Sequence, residues 1–152
     1  MNVEKIESFK IDHNKLCEGI YVSRIDGDIV TYDLRTRKPN MGDFMDNATM
    51  HSVEHMIATY IRSSELANDI IYFGPLGCQT GFYLLVRNAE NEKVLAVLKE
   101  TLEKVINHEG EVFGASQIEC GNYKNLDINL AKEECKKYLE ILNSYTPDFK
   151  YE

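Results

Sequence analysis

His51, Glu54 and His55, in the run His51-Ser52-Val53-Glu54-His55, combine residue types that can hold a metal ion and move a proton beside it. On a helix a four-residue step turns about 400°, so the two imidazoles leave from nearly the same angle one turn apart and can grip one ion. Glu54 comes just before the second histidine and one helical turn after the first, which sets its carboxylate beside the metal rather than across the helix. Such a carboxylate suits a general base. A histidine pair of this spacing also occurs on solvated helices, so the pair alone leaves both readings open until a third ligand is found.

The elements that must position these residues follow from the surrounding pattern. Asp46 or Asn47 offers an N-cap, and Met50, Val53, Ile57 and Ile61 recur at helical steps along one apolar stripe with the histidines on its border. Upstream, Tyr21 to Ile25 and Ile29 to Arg35 read as two strands joined at Asp26-Gly27-Asp28, where the Asp-Gly pair signals a hairpin. In the second strand Val30, Tyr32 and Leu34 alternate with Thr31, Asp33 and Arg35, which predicts one apolar and one polar face. Downstream, Asp69 to Phe73 and Gly81 to Arg87 are strand candidates around a glycine-rich turn. A helix over Glu92 to Ile106 carries Val94, Val97, Leu98, Leu102 and Val105 on one side. Another starts at about Asp127, with Ile128, Ala131, Cys135, Tyr138 and Leu142 aligned.

The strands cluster around one helix instead of alternating regularly with helices. The expected fold is therefore α+β, a mixed or antiparallel sheet covered by helices, and 152 residues without an internal linker suit a single domain, 1–152. A net charge of −8 with no basic stripe argues against a nucleic-acid partner. The N-terminus lacks an apolar signal core and the apolar runs are too short to span a bilayer, so the protein is read as cytoplasmic with no membrane role.

In a reducing compartment the four cysteines are expected to be free, metal-bound or catalytic rather than paired. Cys135 on its apolar stripe reads as a packing residue, and Cys17, with no motif around it, as structural. Cys78 in Gly77-Cys78-Gln79-Thr80-Gly81 and Cys120 in Glu119-Cys120-Gly121 each leave two readings, a small residue in a crowded bend or a thiol presented to a site. His108 reads as solvated at a helix C-terminus. For Arg35 a solvated side chain is the default and a phosphate or sugar clamp the sharper reading.

Taken together these segments resemble the LuxS family of S-ribosylhomocysteine lyases, which make the precursor of autoinducer-2. The matching blocks run in order: Val3 and Glu7-Ser8-Phe9 with Asp12-His13-Asn14, Tyr32-Asp33-Leu34-Arg35 with Pro39-Asn40, the His51 to His55 run, Gly77 to Tyr83, and Cys120-Gly121. The resemblance implies that His51, His55 and Cys120 bind one divalent ion per chain, Fe(II) natively with Zn(II) or Co(II) able to replace it. Two imidazoles and a thiolate suit such an ion, and three protein ligands leave a position open. It further implies Cys78 and Glu54 as the proton carriers, Ser8, His13 and Arg35 as substrate-binding residues, and a homodimer with its sites at the interface. The implied reaction moves the ribose carbonyl by two isomerisations and then expels homocysteine by β-elimination, leaving 4,5-dihydroxy-2,3-pentanedione. In this chemistry a bound cation stabilises the enediolate charge as it develops.

Two rival readings differ in what they use. His-x-x-Glu-His is also the inverzincin metallopeptidase pattern, which takes a downstream acidic residue as third ligand in a longer chain. A non-catalytic metal-binding module keeps the histidines and Cys120 but leaves Glu54 and Cys78 idle. The segment from Asn107 to Ser116 carries no motif.

Overall fold

The computed structural model of the protein describes residues 2–152. Four strands, β1 (Gly19–Asp26), β2 (Ile29–Arg35), β3 (Ile70–Pro75) and β4 (Gly81–Arg87), form one sheet in the order β1-β2-β4-β3. All three pairings are antiparallel, which resolves the mixed-or-antiparallel expectation and gives an α+β fold. A short turn of helix, α1 (Glu7–Lys10), precedes the sheet. Helices α2 (Asn47–Ile61), α3 (Asn91–Ile106) and α4 (Ile128–Asn143) pack on one another, with α2 against β3 and α4 against β1.

Helices α2 and α4 start at aspartate caps. The Asp46 carboxylate accepts from the Thr49 amide at 2.7 Å, and the Asp127 side chain accepts from the Asn129 amide at 2.9 Å, each satisfying an amide that the first turn leaves without a partner. Behind the Asp46 cap, Met50, Val53, Met56, Ile57 and Ile61 are buried. On α3 the expected stripe is buried with Thr101 added, whose hydroxyl donates to the Val97 carbonyl at 2.8 Å. On α4 Ala131, Cys135, Tyr138 and Leu142 are buried, Ile128 only half so. Glu134 joins the buried set because Arg37 covers it with two hydrogen bonds, of 2.6 and 3.0 Å.

The polar face of β2 departs from expectation. Asp33 and Arg35 are 0 and 2 % exposed instead of solvated. They are two residues apart on the same face of the strand, form an ion pair at 2.6 Å, and are roofed by Tyr151, whose hydroxyl donates to Asp33 at 2.6 Å. The C-terminal tail reaches this position along the sheet edge. The Val22 amide donates to the Phe149 carbonyl at 2.8 Å, and Tyr21 and Tyr151 stack with ring centroids 5.0 Å apart. The tail thus covers part of the β1 edge, near Tyr21 and Val22, while the end of the strand from Arg24 to Asp26 stays exposed. No helix among the described residues is long and apolar enough to cross a membrane.

Candidate metal centre and thiol turn

His51 and His55 lie one turn apart on α2, their rings 4.6 Å apart and nearly perpendicular. Cys120 arrives from a turn in which its amide and that of Glu119 both donate to the Ser116 carbonyl, at 3.0 and 3.1 Å. Its sulfur stands 3.3 Å from His51 Nε2, and one ligand atom from each of the three residues falls within 4.8 Å of the others. Ligands bound to one ion at about 2.0 to 2.3 Å stand roughly 3 to 4 Å apart, a range that the 3.3 Å Cys120–His51 separation meets, and three ligands leave a position open on a four-coordinate ion. The chemistry of the set agrees, soft sulfur and borderline nitrogen with no carboxylate.

Each imidazole is held from behind. His55 Nδ1 lies 2.7 Å from the Phe113 carbonyl, and His51 Nδ1 lies 2.5 Å from Asn125 Oδ1. A carbonyl oxygen only accepts, so both Nδ1 atoms carry the proton and both Nε2 atoms keep a lone pair for a metal. The Phe113 loop approaches His55 closely enough that a Cβ on Gly114 would sit 3.2 Å from His55 Nδ1, and Gly114 has φ +70. Glycine meets both demands. A hydrogen bond from the Asp127 amide to the buried Ser52 hydroxyl, 2.8 Å, ties the far end of the Cys120 segment back to α2. Asn107 to Ser116, without a motif in the sequence, thus contributes through a backbone carbonyl and an absent side chain.

Cys78 sits exposed on the turn between β3 and β4. Its sulfur is 3.0 Å from Thr80 Oγ1 and 3.8 Å from Arg35 Nη1, and Arg35 also donates to Thr80 Oγ1 at 2.8 Å. Burial alone would lower the Arg35 pKa, but the hydrogen bond and charge of Asp33 more than offset it and raise the pKa, so the cation beside Cys78 is permanent. The turn is pinned from outside: Met45 and Gln79 exchange hydrogen bonds of 3.0 and 2.7 Å, and the Thr36 and Arg37 amides both donate to the Thr80 carbonyl. Gln79 is held at φ 68, which costs a non-glycine residue on the order of 1 kcal/mol and is tolerated where neighbours over-determine the backbone. At Gly81 a Cβ would come within 2.4 Å of the Leu34 carbonyl, so β4 can pair with β2 there only as glycine.

Of the remaining residues singled out in the sequence, Glu54 is half-buried on α2 between the two histidine positions. His13 bonds locally to the Ile11 carbonyl at 2.9 Å, and Ser8 borders a groove on the sheet face with Ser23, Thr31 and Tyr83. Neither belongs to the group of three residues that could hold a metal ion. Cys135 is buried, and burial drives its thiol pKa far up, in keeping with packing. Cys17 is exposed, so it fills no core position. His108 is tied into the protein, accepting or donating to Tyr60 Oη at 2.7 Å and reaching the Glu111 carbonyl at 2.8 Å, which is more than a solvated helix end requires. Sequence reasoning missed Asn125, Thr80 and Tyr151, common residues that each bond to a residue far away in the chain, His51, Arg35 and Asp33 respectively.

The structure is thus a small antiparallel α+β protein in which two histidines and a cysteine could hold one metal ion while the Cys78 thiol stands exposed on a separate turn, and its motif order resembles that of the LuxS lyases. The family described as S-Ribosylhomocysteinase (LuxS) matches residues 6–147, and the chain belongs to that family. Similar proteins include the S-ribosylhomocysteine lyases of Finegoldia magna, 46% identical over 93% of this chain and 94% of the relative, and of Borreliella afzelii, 43% identical over the same shares. The S-ribosylhomocysteine lyase of Phocaeicola vulgatus is 42% identical over 98% of this chain and 97% of its own.

Proposed function

We propose that this protein is an S-ribosylhomocysteine lyase, one metal-dependent domain over 1–152, that yields homocysteine and the autoinducer-2 precursor 4,5-dihydroxy-2,3-pentanedione. The observation that carries the reading is the convergence of His51, His55 and Cys120, with both Nε2 atoms left free to bind, in a chain of the LuxS family. Fe(II) is the proposed native ion, with Zn(II) or Co(II) able to serve, and the cytoplasm the proposed compartment.

The ion, when bound, supplies Lewis acidity that stabilises negative charge on the sugar oxygens. The chain's own groups do the rest. Cys78, exposed and beside the fixed Arg35 cation, takes and returns protons on one side of the substrate. Glu54, next to His55 on α2, does so on the other side. Two isomerisations shift the carbonyl until the neighbouring C–H bond can give up its proton. The electron pair then forms the C=C bond as the C–S bond breaks, the homocysteine thiolate leaves and takes up a proton, and the enol left behind loses its hydroxyl proton and gains one at the terminal carbon to become the dione. Arg35, Ser8 and His13 are the proposed substrate-binding residues.

We also propose a homodimer with shared sites. Its support is the N-terminal segment, where Val3, Ile6 and Phe9 are 88, 59 and 68 % exposed beside Ser8 and His13, the proposed substrate-binding residues. Sedimentation of the active enzyme as a monomer contradicts the dimer. The experiment for the activity is a thiol assay with S-ribosylhomocysteine, run beside peptide substrates on anaerobically purified protein. Homocysteine release supports the lyase, peptide cleavage supports an inverzincin, and metal uptake with neither reaction supports a binding module.

A further inference from the structure

The two ligand imidazoles are anchored by acceptors of different kinds. His55 donates to a backbone carbonyl, that of Phe113, which no substitution deletes. His51 depends on a side chain, Asn125 Oδ1 at 2.5 Å. In the structure Asn125 Nδ2 donates to Asn47 Oδ1 at 3.1 Å, and the amide oxygen faces the ring. Asn47 is the first residue of α2, one turn before His51, so the helix closes a loop on itself through Asn125. Asn125 in turn ends the short helical turn Tyr123–Asn125 that follows the Cys120 ligand. One amide therefore touches the tautomer of one ligand and the placement of the segment that carries another.

We infer that Asn125 is a positioning residue for the metal centre: anchored by Asn47, it holds the proton of His51 on Nδ1, presents the Nε2 lone pair toward Cys120, and sets the affinity for the ion. The inference rests on the metal-binding reading of the triad. Without the acceptor, either ring nitrogen can carry the proton and the ring is free to rotate, so part of the population must change tautomer before it binds.

Chelator competition with Zn(II), measured on the full chain and on Asn125→Leu, Asn125→Asp and Asn47→Ala, tests this directly. Asn125→Leu keeps the side-chain volume and lacks the acceptor, and is expected to weaken Zn(II) by about 10 to 100-fold. Asn125→Asp keeps an acceptor oxygen and is expected to stay within a few-fold of wild type. The nitrogen-bound Nδ1 proton of His51 in the Zn(II) protein, followed by NMR, is expected to persist in Asn125→Asp and to exchange away in Asn125→Leu, which a purely structural role does not produce. Asn47→Ala lies at an exposed site and serves if Asn125→Leu does not fold; an affinity between wild type and Asn125→Leu, or below wild type when it stands alone, supports the anchor. Wild-type affinity in Asn125→Leu, equal losses in the Leu and Asp variants, or wild-type affinity in Asn47→Ala overturns the inference. Failure of the wild-type chain to hold Zn(II) at all overturns the metal reading instead.

Discussion

The Cys120 sulfur stands 3.3 Å from His51 Nε2, although the two residues are 69 positions apart in the chain. With His51 Nδ1 committed to Asn125, that nitrogen faces the sulfur with its lone pair, and both atoms are donors to the same small volume. Cys120 thus brings a third potential ligand atom to the histidine pair.

Replacing it should empty the centre. Cys120→Ala is expected to lose stoichiometric metal on dialysis and to lack thiolate-to-metal absorption when Co(II) is offered. Retention of a full equivalent with unchanged absorption would remove Cys120 from the ligand set.

Cys78 and Glu54 should behave differently, since neither belongs to the triad. Cys78→Ala and Glu54→Gln are expected to keep their metal while turnover falls about 10²-fold or more, the scale of general acid-base groups. Near-normal homocysteine release from either variant would take that residue out of the mechanism.

The buried pair under Tyr151 carries a stability prediction. Asp33 and Arg35 side chains are 1 and 3 % exposed, so Asp33→Asn leaves a guanidinium in the interior with its counter-ion gone. A loss of about 3 to 5 kcal/mol is expected in denaturant titration, with part of it regained in the double variant Asp33→Asn with Arg35→Met. An unchanged midpoint for Asp33→Asn would show that the pair is solvated in solution.

How much of this was legible beforehand depends on the kind of signal each residue carries. The hairpin at Asp26-Gly27, the stripe of α2 and the three helices follow from local spacing, and the structure has them within a few residues. The period-two pattern of β2 gave its two faces correctly, but the burial of Asp33 and Arg35 is decided by Tyr151, 118 residues beyond Asp33, and no local pattern reports that contact. Cys120 was reached through family resemblance, because its distance along the chain from His51 has no helical or hairpin period. The Phe113 carbonyl and the missing Gly114 side chain were not readable at all: every residue has a carbonyl, and a glycine names its neighbour only once the fold is known.

Alkaline pH should destabilise the protein through its tyrosines. Burial, with the Asp33 charge second, raises the Tyr151 pKa well above its ordinary 10.0, and burial pushes Tyr21 and Tyr32 up to about 12. The unfolded chain gives up these protons near pH 10 while the native state keeps them, so native tyrosines bind more protons and stability falls as pH rises from about 10 towards 12. Below pH 10 the contribution is fully present. Unfolding midpoints and tyrosinate absorbance, measured together, should show a loss of stability preceding most of the ionisation of the folded protein. Midpoints flat to pH 12 would contradict the burial of these hydroxyls.

The most direct measurement adds Fe(II) anaerobically to metal-free protein and follows homocysteine release from S-ribosylhomocysteine. The rate is expected to rise with added ion and saturate at about one equivalent per chain, with thiol and dione formed in equal amounts and Cys120→Ala inactive throughout. A chain that carries a full equivalent at His51, His55 and Cys120 and releases no homocysteine, or one that releases it equally well without the ion, would contradict a metal-dependent S-ribosylhomocysteine lyase.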